Sequence, residues 1–163
     1  MTTADTSVVL KKGEGTALWF MGSLIELKAT GDDTDGALTA MEMTVGPSFG
    51  APPHTHEFGE VGYVLEGTLR FHIGDRMVDA AAGTFLFFPK GTTEWFENVT
   101  DSPARVLIVY ARAGMENFFT ETSQPAESRS LPPPPPPPTP EEFEKLAAAA
   151  KRQGTELLPP PHD

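Results

Sequence analysis

His54-Thr55-His56-Glu57-Phe58-Gly59-Glu60 runs directly into Val61-Gly62-Tyr63-Val64-Leu65-Glu66-Gly67. Two histidines sit two apart, so in an extended segment both imidazoles point to one side. Glu60 follows His56 by four residues and keeps the same parity, whereas Glu57 is one step out and should point away. Two imidazoles and one carboxylate on one face, with further positions open, suit a divalent iron, manganese, nickel, copper or zinc ion. His54, His56 and Glu60 are therefore candidate metal ligands inside a β structure.

A second stretch echoes the first. Gly83 is followed by five residues, then Pro89-Lys90-Gly91, Thr92-Thr93, Glu94, three residues and Asn98. Pro-x-Gly marks a tight turn between strands. It sets Glu94 at the start of a new strand, able to face the same interior and to act as a fourth metal ligand or as a base. Glu60 and Glu94 are the candidate catalytic residues. An ion pair from Glu94 to Arg70 or Arg105 is the competing structural role.

At these residues the chain resembles the cupin superfamily. Cupins carry Gly, five residues, His-x-His, three or four residues, Glu, six residues and Gly. A second motif reads Gly, five residues, Pro-x-Gly, two residues, His, three residues and Asn. Both spacings are met here, with two departures. Ser48 stands where the first motif opens with glycine, and Glu94 stands where the second has the histidine that is the fourth ligand of metal-binding cupins. The resemblance spans residues 35–111. It implies an all-β, jelly-roll β-barrel, a small-molecule substrate and a homodimer, with Trp19 and Phe20 on an early strand as an apolar edge.

The rest of the sequence agrees with a single β domain and an appendage. Eleven phenylalanines and a 39% hydrophobic content can fill a small barrel. No apolar run is long enough to span a bilayer. Met1 to Ser7 lacks the basic start and apolar core of a secretory signal. With no cysteine there are neither disulfides nor thiolate ligands, and the expected location is cytoplasmic. A net charge of −11 disfavours a nucleic-acid partner, which needs a basic surface.

Residues 1–36 are expected to be N-terminal strands (Val8–Leu10, and Thr16–Thr30 broken near Gly22) and a turn packing on the barrel. The acidic Gly31–Gly36 segment reads as a solvated hairpin loop, since its spacing does not fit a calcium loop. Residues 37–122 form the barrel and a short following helix over Met115–Thr122. Within it, Leu38–Val45 alternates as a half-buried strand, Gly46–Pro53 reads as a proline-stiffened loop, and Thr84–Phe88 reads as a fully buried strand. Phe49, Tyr63, Phe71, Phe85, Phe87 and Phe96 are candidates for a cavity wall. His72 could face that cavity or the surface.

Residues 123–140 form a proline-rich linker. Pro132–Pro138 must be polyproline II, spanning about 22 Å as a semi-rigid spacer. Residues 141–163 carry a helix and tail. Thr139, Pro140 and Glu142 start that helix with a capping box. Phe143, Leu146, Ala147 and Ala150 form its apolar stripe, which should dock near the barrel mouth or on a partner subunit. His162 is expected to be disordered. The Phe118-Phe119 pair, linker and helix also resemble the tails of small bacterial, quercetin-dioxygenase-like cupins.

Three functions follow. The resemblance and the two-His, one-carboxylate set imply a mononuclear metal-dependent oxygenase acting on a small aromatic or enolic substrate. Glu94 in the histidine position allows a non-redox isomerase, cyclase or small-ligand binder that uses it as a base. A metal-free structural or ligand-sensing domain is the third.

Overall fold

The computed structural model describes residues 6–159. His162 and Met1–Asp5 lie outside this range. The chain adopts the expected all-β jelly roll, two antiparallel sheets with the core between them.

The strands are β1 (Thr16–Phe20), β2 (Ser23–Ala29), β3 (Thr39–Val45), β4 (Gly50–His56), β5 (Glu60–Glu66), β6 (Thr68–Ile73), β7 (Arg76–Ala81), β8 (Phe85–Phe88), β9 (Glu94–Glu97), β10 (Ala104–Tyr110), β11 (Gln124–Pro125) and β12 (Thr155–Leu157). The helices are α1 (Gly31–Thr34), α2 (Met115–Thr122) and α3 (Pro140–Arg152). One sheet has the order β11-β1-β2-β3-β10-β5-β8, the other β12-β4-β9-β6-β7. Alternation decides which side chains enter the core. Thr39, Met41, Met43 and Val45 of β3 are buried, and so are Ala104, Val106, Ile108 and Tyr110 of β10.

Two motif positions have a backbone reason. Gly67 has φ 73°, and a Cβ there would come within 3.0 Å of Ala104. Ser48, in the position where the motif has glycine, also has a positive φ of 67°. A residue with a side chain is thus held where glycine is unstrained.

Four expectations change. Gly46–Pro53 is only partly loop, because β4 begins at Gly50. Its pairing with β9 is irregular between Ala51 and His54, and the donor-less Pro52 and Pro53 sit in that irregularity. Thr84–Phe88 is not buried throughout. Leu86 and Phe88 face the core, while Phe85 is 63% and Phe87 57% exposed, because β8 lies in a sheet that is covered on one face only here. Val8–Leu10 forms no strand and is exposed. Gly31–Thr34 is one helical turn, its start held by the Thr30 N–H donating to Asp33 Oδ2 at 2.9 Å.

The edge of β1 is not free. Leu18 and Trp19 pair with β11, and the Ala126 N–H donates to the Ala17 carbonyl. Phe20 turns inward and meets Phe118 and Phe119 edge-on at 5.7 and 5.3 Å. The apolar side chains of the early strand are thus used within the chain.

α3 docks on the barrel. Thr139 and Glu142 form the capping box, with the Glu142 N–H donating to Thr139 Oγ1 at 3.2 Å. Ala149 and Ala150 are buried, and Phe143, Leu146 and Ala147 half-buried. A helix this short is marginal alone, so burial of this face holds it.

Candidate metal centre

β4 presents His54 and His56 from one sheet. His54 pairs in register with Glu94 of the adjacent β9. Glu60 starts β5 in the opposite sheet, because Glu57–Gly59 leave the strand and carry the chain across. Parity along one strand is therefore not what brings Glu60 in; the crossing between sheets is. The Pro89–Gly91 turn is tied to this point, the Gly91 N–H donating to the His56 carbonyl at 2.8 Å.

The four side chains converge. One donor atom from each of His54, His56, Glu60 and Glu94 lies within 4.8 Å of the others. His56 Nε2 is 2.8 Å from Glu60 Oε2 and 3.7 Å from Glu94 Oε1, and His54 Nε2 is 3.6 Å from Glu94 Oε1. His56, Glu60 and Glu94 are buried. The competing partners of Glu94 are engaged elsewhere: Arg70 binds Asp79, and Arg105 binds Glu42 and Glu66. His72 belongs to the outer face, stacked on Trp95 at 3.5 Å with Nε2 beside Glu97. Glu57 points to solvent.

Hydrogen bonds outside the cluster orient the imidazoles. His54 Nδ1 faces the Pro52 carbonyl at 2.8 Å, which can only accept, so Nδ1 carries a proton and Nε2 is the ring nitrogen turned to Glu94. His56 Nδ1 faces Thr155 Oγ1 at 2.7 Å. His56 Nε2 and Glu60 Oε2 are buried without a hydrogen-bond partner. A buried imidazole nitrogen and a carboxylate oxygen 2.8 Å apart need a proton or a cation between them. The donor set therefore fits a divalent ion, whose charge would balance two carboxylates.

Burial lowers the pKa of His56 against the opposing pull of Glu60, which keeps the imidazole neutral. Burial raises Glu60, but the His56 contact, the neighbouring imidazoles and a hydrogen bond from Glu94 outweigh it and leave Glu60 ionised. Burial and the Glu60 carboxylate push Glu94 up to about 11, so without an ion it keeps its proton. Such a carboxyl binds its proton more tightly folded than unfolded. Its stabilising effect is full below about 4.5 and is lost as pH climbs towards about 11. In chelator-treated protein, Glu94→Gln should flatten the fall of melting temperature between about pH 6 and about pH 9. Equal slopes in variant and wild type would refute the shared proton. Metal affinity should rise over the same range, because the ion must displace that proton.

A chamber of about 60 Å³ adjoins the cluster, walled by Phe20, Met43, Phe96, Ile108, Tyr110, Phe118, Phe119, Phe143 and Leu146. Of the six aromatics expected in a wall, only Phe96 borders it. Tyr63, Phe85 and Phe87 face outward, Phe71 packs on Phe88 and Phe96, and Phe49 borders an outer groove. That groove, about 930 Å³, runs under Pro135–Pro138 and shares Met21, Gly50, Ala51, Pro52, Phe96 and Leu146 with the chamber.

Sequence reasoning missed Tyr110 and Thr155. Tyr110 packs edge-on against His56 at 5.4 Å, and its pKa is raised by burial and the two glutamates, so the phenol stays neutral. The alternation of β10, which buries Val106 and Ile108, would have found it. For Thr155 no local signal exists, because it reaches the site through long-range strand pairing.

The cupin domain family matches residues 41–110. No curated protein sequence matches the chain. Among solved structures, a predicted oxalate decarboxylase from Thermotoga maritima superposes with a TM-score of 0.60 at 21% identity, covering 64% of this chain and 98% of that one. An RmlC-like cupin from Shewanella frigidimarina gives 0.57 at 17%, covering 68% and 96%. The polyketide cyclase RemF from Streptomyces resistomycificus gives 0.51 at 25%, covering 68% and 78%. The functions named among these relatives differ, and the barrel is what they share. Two motifs at cupin spacing, a jelly roll that brings them together and this family match agree that residues 41–110 are a cupin domain.

Proposed function

We propose that the protein is a metal-dependent cupin oxygenase acting on a small aromatic or enolic substrate, with His54, His56, Glu60 and Glu94 holding one divalent transition ion (Fe, Mn, Ni, Cu or Zn). The observation that carries this reading is the convergence of His54, His56, Glu60 and Glu94, one donor atom from each within 4.8 Å of the others, beside an apolar chamber. The ion, when bound, would supply a Lewis-acid and redox centre with positions open to substrate. The chain's own residues do the rest. The phenylalanines of β1, α2 and α3 exclude water and strengthen every charge interaction inside. Glu60 and the imidazoles orient the centre, and Glu94 either completes the ligand set as an ionised carboxylate or, unligated, holds or releases a proton beside it.

The size of the chamber restricts the substrate. About 60 Å³ is far below the roughly 300 Å³ that a drug-sized ligand needs. A substrate as large as a flavonol would have to extend into the groove under Pro135–Pro138, whose walls the chamber shares. The protonated Glu94 favours a second reading, a non-redox isomerase or cyclase in which that carboxyl acts as acid and, once ionised, as base. The structural likeness to a polyketide cyclase supports it.

Metal analysis of protein purified without chelator should find one divalent transition ion per chain, and oxygen uptake with small enols should depend on it. Metal-free protein from metal-rich medium would reject both readings; turnover without oxygen would select the second. A homodimer belongs to this reading, with the exposed Tyr63, Phe85 and Phe87 as its apolar face, and light scattering on the same sample tests it.

A further inference from the structure

The two imidazoles of the centre are oriented by different parts of the chain. His54 is set by Pro52, two residues away in the barrel strand itself. His56 is set by Thr155, from beyond the polyproline arm and α3. Thr155 is 3% exposed and pairs directly opposite His56, where β12 lies along β4. The Gly154 carbonyl accepts from the Glu57 N–H at 2.9 Å, and the Leu158 N–H donates to the Pro53 carbonyl at 2.8 Å, so the pairing continues on both sides.

The hydroxyl has one proton, and its direction matters. Thr155 Oγ1 donates to Met115 Sδ at 3.3 Å. With the proton directed to sulfur, the oxygen is left to accept from His56 Nδ1–H at 2.7 Å. That fixes the tautomer with the lone pair on Nε2, the atom that faces Glu60 and Glu94. The opposite tautomer would place a hydrogen where the ion belongs.

We propose that Thr155 is a positioning residue for His56, so that docking of the C-terminal segment and metal binding reinforce each other. The inference rests on the metal-centre reading above. A ligand that favours the docked tail must, by linkage, be favoured by it to the same degree. Partners that orient a ligating histidine are worth about 10- to 100-fold in metal affinity.

The test uses the full chain and Mn²⁺ as the probe. In metal-free protein, long-range ¹H–¹⁵N spectra of the histidine rings should show His56 protonated on Nδ1. Thr155→Val should lose that tautomer and weaken Mn²⁺ binding by about 10- to 100-fold, while Thr155→Ser restores both. Met115→Leu, which removes the sulfur and frees the hydroxyl to donate, should shift His56 towards Nε2–H with the threonine still in place. Mn²⁺ should also slow amide exchange of Thr155–Leu157 in wild type and not in Thr155→Val. An unchanged tautomer and unchanged affinity in Thr155→Val, with wild-type binding intact, would overturn the coupling alone. Wild-type protein that binds no Mn²⁺ would overturn the metal centre and the coupling with it.

Discussion

Replacing Glu60 by glutamine should remove metal binding, by more than the roughly 100-fold that loss of an outer-shell partner costs. The substitution preserves shape and removes the charge. Glu60 is the carboxylate nearest to an imidazole ligand atom, at 2.8 Å from His56 Nε2. An amide oxygen is a much weaker ligand, and the amide N–H₂ could instead donate to Nε2, which otherwise has no hydrogen-bond partner. Two readouts therefore move apart. Metal content falls to background, while the metal-free variant melts no lower than metal-free wild type, since a buried ionised group has become neutral and paired. Titration calorimetry and chelator-treated melts measure the two. Affinity within tenfold of wild type would mean that Glu60 is not a ligand.

The second large effect is on stability. Phe118→Ala should cost about 3–5 kcal/mol, measured by urea unfolding. Phe118 is 5% exposed and sits edge-on to Phe20 of β1 and to Phe119 at 5.7 and 5.0 Å. The lost ring leaves a void between sheet and helix that neither backbone can close, and it enlarges the chamber beside the candidate metal site. For a domain whose total stability is about 5–15 kcal/mol, this is a large fraction. A loss under about 1 kcal/mol would show that α2 can re-seat without its aromatic anchor.

Much of this was legible along the chain, because it depends on local period and turn chemistry. The alternation of Leu38–Val45, the capping box at Thr139, the helix over Met115–Thr122 and the parity of His54 with His56 need only a few neighbouring residues. Gly67 and Gly91 mark turns where positive φ is required. The same locality explains the failures. Phe85 and Phe87 look like core by composition, and only the lack of a layer over the outer face of their sheet, which they share with Tyr63, leaves them exposed. Pro52 and Pro53 look like loop, and only an irregular ladder admits them to β4.

The sequence by itself determined the candidate ligand types, their spacing and the jelly-roll class, since motif spacing and strand period are properties of short segments. Tertiary structure alone decided that Glu60 arrives from the opposite sheet and that the chamber closes to about 60 Å³ under α2 and α3. It also decided that Thr155, 99 residues away, lies within hydrogen-bond distance of His56 Nδ1. Those contacts join segments far apart in the chain, and only burial of a shared apolar face brings such segments together.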